Sequence, residues 1–522
     1  MTPPAPASPD AAAAALRRWT LVSAVLGSSM AFMDGTVVNV ALPAIQHSLD
    51  ASGADAQWII EAYALFLAAL LLVGGALGDR FGRKRVFLAG VVVFTATSAA
   101  CAAAQDTGQL IAARALQGVG AALLVPGSLA LLGANFPEDE RGRAIGTWSA
   151  FSGITAAIGP VVGGFLVDHF SWRWAFLLNV PIGVVLVLAC LAKVPESHGE
   201  ASDGPVDIAG AVTATLGLAG IVFALIEAPT RGWGSAAVVI AGIVGLAGLA
   251  AFVACEARVR EPMLPLHLFR NRDFAGANLL TLLLYAALGG SLYFVPLNLI
   301  QVQGYGATAA GAALLPFVAI MFALSRWAGS LVDAMGAKIP LVVGPAIAAL
   351  GFALFARPGV GGSYWTTFFP AVCVLGLGMT ITIAPLTTTV MNALGESLAG
   401  TASGVNNAVS RAAGLLAIAA LGAVLAQVFE ARLHEALAHA GLPSGVVDTV
   451  FGQRRKLAAI APPAGAASAV ATQVRAVVGQ AFVAGFRAVM LCGAGLALAS
   501  ALSAWWLISG RKPAPDSKGP SA

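Results

Sequence analysis

The sequence predicts an all-α polytopic membrane protein with fourteen transmembrane helices. Three observations carry that class. Of 522 residues, 58% are hydrophobic and only 10% are charged, against roughly a quarter charged in soluble domains. Apolar runs of about 20 residues recur along the whole chain, each able to cross a hydrocarbon core of about 30 Å as a helix. Stretches of alternating polarity, which a membrane β-barrel requires, do not appear.

The chain begins with "MTPPAPASPDAAAAA", and residues 1–18 read as a disordered Pro/Ala-rich N-terminus. It is not a cleavable signal peptide, because the first apolar run is too long and lacks a cleavage site. Spans follow at 19–43, 58–78, 86–104, 110–134, 144–167 and 174–193, so residues 19–195 make a six-span N-terminal half. Two more, at 207–228 and 235–255, fill the segment 207–255. The last six lie at 274–302, 307–331, 339–356, 365–391, 402–428 and 481–508, making a C-terminal half over 274–508. That half contains a long loop at 430–480, whose opening "EARLHEALAHAGL" suits a short surface helix. Residues 509–522 form a tail.

Basic residues orient the spans. Arg17, Arg18, Arg80, Arg83, Lys84, Arg85, Arg141, Arg143, Lys193, Arg258, Arg270, Arg272 and Lys338 fall on one side; the short loops opposite hold only Arg173, Arg231 and Arg357. The positive-inside rule then places both termini in the cytoplasm of a multi-pass inner-membrane protein. The 430–480 loop is expected outside although it carries Arg432, Arg454, Arg455, Lys456 and Arg475, since long loops obey the rule poorly.

Several function classes fall away. The five cysteines lie in apolar segments with no CxxC pair, and the six histidines form no ligand cluster, so neither a disulfide framework nor a metal site is read. HExxH, a nucleophile elbow and GxxxxGK[ST] are all missing, which argues against an enzyme or an ATP-driven pump. No cofactor and no nucleic-acid partner are expected. A channel would need rings of filter charges, and none stand out.

One charged turn is written twice. "GALGDRFGRKR" at 75–85 returns as "GSLVDAMGAK" from Gly329, so that Gly75, Asp79, Gly82 and Lys84 recur as Gly329, Asp333, Gly336 and Lys338, each 254 positions on. Both copies follow the second span of a six-span half, and 207–255 becomes an inserted pair. Parallel repeats of this kind characterise secondary transporters. Gly75 and Gly78 are expected to let backbones approach, and Gly82 to permit a tight turn. Asp79 is expected to accept hydrogen bonds from the N-terminus of a neighbouring helix. Arg80, Arg83, Lys84 and Arg85 suit the anionic inner leaflet. Together they read as an inward-side latch; the plainer alternative, a topogenic basic loop, would need only the charges. The second copy has Ala334 and Ala337 where the first has Arg80 and Arg83, which weakens Asp333 as a latch.

Four sets of residues are candidates for chemistry. Asp34 lies about 15 residues after Trp19, roughly 22 Å along its helix, in the outer half of the membrane. A carboxylate there is costly to ionise, and one that loses a proton to one side and regains it from the other is what proton coupling needs. Arg114, at similar depth, keeps its charge and would bias Asp34 towards ionisation; the alternative is an arginine snorkelling to the surface. Asp34→Asn is expected to fold, a neutral amide costing less than a buried charge. Glu61 follows Trp58 by three residues and is placed at the outer interface in water, as a drug-cation or proton site. Gly159 and Gly163 make a GxxxG face for close helix approach, beside Pro160, which can bend the helix, and Gly164. Met30 shares a helix face with Asp34, and Gln117, Asn179, Tyr285, Tyr293, Asn298 and Met379 are polar or adaptable groups within spans. They are candidates for substrate contact, although a stripe of this kind is more often plain packing.

The two turns resemble the loop signature of the major facilitator superfamily. "FMDGTVVNVALP", "RALQGVGAA" and "GITAAIGPVVGG" are similar to the first, fourth and fifth helix motifs of its fourteen-helix drug:proton antiporters, and "SWRWAFLLNVPIG" and "SGVNNAVSRAAG" to further family stretches. The resemblance spans nearly the whole chain. It implies the major facilitator fold, a central cavity lined by helices 1 and 4, and a helix 5 that reshapes during transport. It also implies export of amphipathic or cationic small molecules across the bilayer, driven by protons. The alternative is a same-fold exporter of one metabolite or self-made antibiotic. A periplasmic adaptor is neither required nor excluded.

Overall fold

The computed structural model describes residues 9–199, 207–259, 262–394 and 398–509. Among them are fourteen helices long and apolar enough to cross a membrane, and no strand. In order they are α1 (Pro9–Leu49), α2 (Gly53–Phe81), α3 (Arg83–Ala103), α4 (Thr107–Asn135), α5 (Glu138–His169), and one span made of α6 (Trp174–Leu177) and α7 (Asn179–Lys193). Then come α8 (Ile208–Arg231), α9 (Ala236–Glu256), and a span of α10 (Arg272–Leu292) with α11 (Phe294–Leu297), which ends in a π-helical turn at Asn298–Val302. The remaining elements are α12 (Ala307–Ala312), α13 (Leu315–Met335), α14 (Lys338–Phe355), α15 (Tyr364–Asn392), α16 (Ala399–His439), the short α17 (Ser444–Gly452) and α18 (Ser468–Leu507).

Two boundaries differ from expectation. The first helix starts at Pro9, so residues 9–18 are helical rather than disordered. A proline at the first turn followed by an alanine run is a strong helix start. Residues 1–8 and 510–522 lie outside the described residues. The expected 430–480 loop is also shorter: α16 continues through "EARLHEALAH" to His439, and α18 begins at Ser468. Ala, Leu, Glu and Arg propagate the helix beyond the apolar run that hydropathy detects. The intervening chain holds α17 and a 3-10 turn at Arg454–Ala459.

The chain forms two compact units. The first comprises 1–221, 240–263 and 306–312; the second comprises 222–239, 264–305 and 313–522. Within each, one helix pair shows the same glycine contact. In the first unit α3 meets α4 where Gly90 and Gly120 face each other, and a Cβ on Gly120 would stand 2.7 Å from the Phe94 backbone nitrogen. In the second, α14 meets α15 through Gly344 and Gly378, and a Cβ on Gly344 would stand 2.9 Å from the Gly378 carbonyl oxygen. The α3-to-α14 offset is the 254 of the charged turns; the α4-to-α15 offset is 258. The repeat seen in sequence is therefore a repeat of helix packing.

Gly120→Ala should destabilise the protein by about 1–3 kcal/mol, the usual penalty of overpacking. Gly133→Ala, in the same helix with nothing within 4 Å, should be neutral. Thermal melting of detergent-purified protein checks the pair, and equal melting temperatures would contradict the close α3–α4 contact.

Candidate functional site

Asp34 sits on α1 with its side chain fully buried. Its carboxylate receives three donors from two other helices. Arg114 Nη1, from α4, donates to Oδ2. Gln117 Nε2, one turn further along α4, donates to Oδ1 at 3.0 Å, and Asn179 Nδ2, at the start of α7, donates to the same oxygen at 3.1 Å. Arg114 and Gln117 reach one acceptor because residues three apart share a helix face.

A second layer holds the donors. Arg114 Nη1 also donates to Gln117 Oε1 at 2.8 Å, and Arg114 Nε to the Ile59 carbonyl of α2 at 3.0 Å. Its guanidinium lies 4.3 Å from the Tyr63 ring centroid and 5.8 Å from that of Phe176. Tyr63 is itself fixed by its hydroxyl donating to Ala31 O at 3.1 Å. Ser98 Oγ of α3 accepts from Gln117 Nε2 at 3.3 Å and from Asn179 Nδ2 at 3.1 Å, and donates to Phe176 O at 2.8 Å. Cys101 Sγ lies 3.6 Å from Gln117 Oε1. Asp34, Arg114, Gln117, Asn179, Ser98 and Cys101 are all buried.

Arg114 thus does not snorkel: it lies at 0% exposure against an acid of 1%. A buried pair is costly to desolvate, and its cost is offset only when the remaining polar atoms also find partners. Here Arg114 Nη2 and Asn179 Oδ1 are left without a hydrogen bond among the described residues. Gln117 and Asn179, candidates for substrate contact from sequence, are carboxylate donors. Ser98, Tyr63 and Phe176 are missed by sequence reasoning, because small hydroxyls and aromatics in apolar runs look like packing.

Glu61 departs from expectation. It is at 0% exposure on α2 rather than in water at the interface, and neither carboxylate oxygen has a hydrogen-bond partner among the described residues. Counting from Trp58 gave its depth, not which way its helix face turns. Met30 is buried in the apolar core with Phe87, Phe94 and Leu124, while Tyr285, Tyr293, Asn298 and Met379 belong to the second unit. There Tyr293, Asn298 and Met379 are buried, Tyr285 is half-buried, and Asn298 Oδ1 accepts from Gln303 at 3.1 Å.

The α5 motif packs on both sides. Cβ atoms on Gly159 and Gly163 would collide with Thr36 and Val37 of α1, and one on Gly164 with the Ala307 backbone of α12. Gly311 of α12 in turn lies against the Pro160 carbonyl. At the end of α5, Asp168 caps α12: it accepts from the backbone of Ala307 at 3.0 Å and of Thr308 at 2.8 Å. The motif is therefore a double contact surface, and Asp168 is a member the sequence did not announce.

The 75–85 turn has partners of its own. Gly82 adopts φ +106°, which side chains disfavour. Gly75 and Gly78 have ordinary room for a Cβ, and the close approach falls to Gly74 against the Ala122 carbonyl. Asp79 accepts from Arg83 Nε at 2.8 Å, not from a neighbouring helix N-terminus. That role belongs to Glu196, beyond α7, whose carboxylate accepts from the backbone of Lys84 at 2.9 Å and of Arg85 at 3.2 Å at the start of α3. Arg83 N donates to Ser197 O at 2.8 Å, Gly199 N to Asp79 O at 3.1 Å, and Lys84 Nζ to Leu191 O at 3.3 Å. Arg80 is exposed, lying over Phe81. In the second copy Gly336 also has positive φ, +79°; the side chain of Asp333 lies outside what is described.

The pair has a stability signature. Arg114→Gln leaves a carboxylate that a proton can neutralise; Asp34→Asn leaves a guanidinium that nothing neutralises. Asp34→Asn is therefore not the mild change sequence suggested. It should cost about 3–5 kcal/mol, as breaking a buried pair does. The double variant Asp34→Asn/Arg114→Gln should recover most of that. Thermal unfolding in detergent measures all three, and additive losses would disprove mutual stabilisation.

Residues 24–418 match the family described as Major Facilitator Superfamily. Over 512 residues the chain is 32% identical to the tetracenomycin C resistance and export protein of Streptomyces glaucescens, covering 97% of this chain and 94% of that one. Over 422 residues it is 35% identical to the multidrug resistance protein Stp of Mycobacterium tuberculosis (strain CDC 1551 / Oshkosh), covering 81% and 78%. A bacterial homologue of the human lysosomal transporter Spinster, solved inward-facing and occupied, shares the fold with a TM-score of 0.66 at 16% identity, over 94% of this chain and 96% of that one. With its fourteen spanning helices and its repeated charged turn, the chain belongs to the major facilitator superfamily.

Proposed function

We propose that the protein exports amphipathic or cationic drugs across the cytoplasmic membrane by alternating access, in exchange for protons. The observation that carries this reading is the Asp34 carboxylate, buried within a span and held by Arg114, Gln117 and Asn179. Such an acid can exchange a proton, while Arg114 stays charged and favours the ionised form. Substrate entering the cavity shifts that balance towards the ionised form and releases the proton inward. A role for Glu61 in meeting substrate charge or a further proton is supported by its burial with no hydrogen-bond partner among the described residues. The proton gradient supplies the energy, without a cofactor. The resistance and export functions named for the two relatives support the drug reading. A second reading, export of a single self-made antibiotic, is favoured by the relative matched over 97% of this chain, which is named for one compound.

The distribution of Arg and Lys supports both termini and the 75–85 turn facing the cytoplasm. In a background without the five native cysteines, a membrane-impermeant thiol reagent applied to intact cells should label Ser444→Cys and spare Ser517→Cys. Labelling at 517 would reverse the orientation.

Coupling is tested by proton release. Adding a transported drug to the purified parent in weak buffer should acidify the solution. The folded double variant Asp34→Asn/Arg114→Gln should release none and should lose uncoupler-sensitive export by tenfold or more. Undiminished release and export from that variant would remove Asp34 from the mechanism. A growth-inhibition panel in a pump-deleted host, with and without uncoupler, separates broad from single-compound export.

A further inference from the structure

Among the described residues, nothing hydrogen-bonds one polar atom that Asn179 brings to the Asp34 network. Its Nδ2 donates to Asp34 Oδ1 and to Ser98 Oγ, each at 3.1 Å, while its Oδ1 is buried without a partner. The residue is 1% exposed. Each described hydrogen bond to the Asp34 carboxylate comes from a donor: Arg114, Gln117 or Asn179. Three donors suit an ionised carboxylate, which only accepts. They do not suit a carboxylic acid, whose O–H needs an acceptor.

Gln117 is a poor source of that acceptor. Its Oε1 already takes the Arg114 Nη1 proton at 2.8 Å and faces Cys101 Sγ. Asn179 is free to supply one. A half-turn of its amide exchanges Nδ2 and Oδ1 and brings the unused oxygen to the protonated acid, within reach of the Ser98 hydroxyl. The Asp34 O–H then donates to Asn179 Oδ1, and Gln117 still donates to Asp34. One covalent bond forms, the O–H of Asp34, to a proton taken up from water; the amide rotation makes and breaks hydrogen bonds only. The amide sits where α6 gives way to α7, two residues before Pro181, which has no N–H to continue the helical ladder.

We infer that Asn179 is the positioning residue that reads the protonation state of Asp34, its amide donating to the ionised acid and accepting from the neutral one. This rests on the proton-coupling reading above. Among the described residues, the groups around Asp34 come from five neighbouring elements. Arg114 comes from α4, and Cys101 lies behind Gln117 on α3. Tyr63 of α2 acts through Arg114, and Glu61 lies on the same helix. The segment from α6 into α7 brings Phe176 and Asn179, and α5 meets α1 through Gly159 and Gly163 beside Thr36 and Val37, its Glu140 pairing with Arg17 of α1 at 3.4 Å.

The test uses infrared difference spectra of the purified full-length chain titrated between acid and alkaline pH. The carbonyl band of protonated Asp34 is the one absent from Asp34→Asn/Arg114→Gln. Asn179→Leu should move that band to the higher frequency of an acid with a free O–H. It should also raise the titration midpoint. The ionised form loses a donor, a stronger bond than the one the neutral form loses. Asn179→Ala, which removes the same amide without adding bulk, should do likewise and serves if the leucine variant does not fold. A parent that titrates normally, with band and midpoint unmoved in a folded Asn179 variant, overturns this inference alone. A raised midpoint with an unmoved band also overturns it, because Asn179 would then donate without ever accepting. A parent with no titrating Asp34 band overturns the coupling reading instead.

Discussion

A hydrocarbon interior tolerates a charge only when another group answers it, and the Asp34–Arg114 pair is where the first unit meets that constraint. Arg114 reaches α1 through Asp34 and α2 through the Ile59 carbonyl, with Tyr63 against its face. Gln117 and Asn179 complete the carboxylate, and Ser98 ties both amides to α3. Five helices therefore share one electrostatic object. Helices in lipid lack the hydrophobic drive that packs soluble cores, so association falls to close contacts and polar bridges. The Gly90–Gly120 approach sets the spacing of α3 and α4, and the ion pair fixes which faces turn inwards.

The two halves repeat the packing but not the chemistry. With the offsets given by the glycine contacts, Ser98 and Cys101 correspond to Phe352 and Phe355, and Arg114 and Gln117 to Val372 and Leu375. All four counterparts are buried and apolar. At these four positions the second unit repeats the scaffold with apolar side chains. The charged turns are uneven in the same sense, since Arg80 and Arg83 face Ala334 and Ala337 in the repeat.

Much of this is legible in the chain, for definable reasons. Membrane helices satisfy their own backbone, so apolar length alone locates them, and the spans were found that way. A charge in such a run is rare, which is why Asp34, Arg114 and Glu61 stand out. What hydropathy misses is polar helix that continues past the membrane, hence the errors at residues 9–18 and 430–480. It also misses orientation about the helix axis, which decided the burial of Glu61. In the turn, the expectation of a carboxylate at a helix N-terminus was sound chemistry assigned to the wrong acid. Glu196 performs it from more than a hundred residues away, a distance over which spacing rules say nothing.

The ion pair also constrains how the protein is made. Eighty residues separate Asp34 from Arg114, so α1 enters the bilayer well before its partner is synthesised. Placing a lone charged side chain at the centre of a spanning helix costs about 2.5–3.5 kcal/mol at insertion. Aspartate and arginine both bear that cost, but an aspartate can bear it as the neutral acid, whereas an arginine has no neutral form to use. The order of the chain, acid first and base later, means that Arg114 arrives to find its counter-ion waiting and need never stand alone in lipid. A sequence with the two residues exchanged would have the same pair when folded and a harder route to it. Which helix carries which charge thus bears on how the chain enters the membrane as well as on how it packs once there.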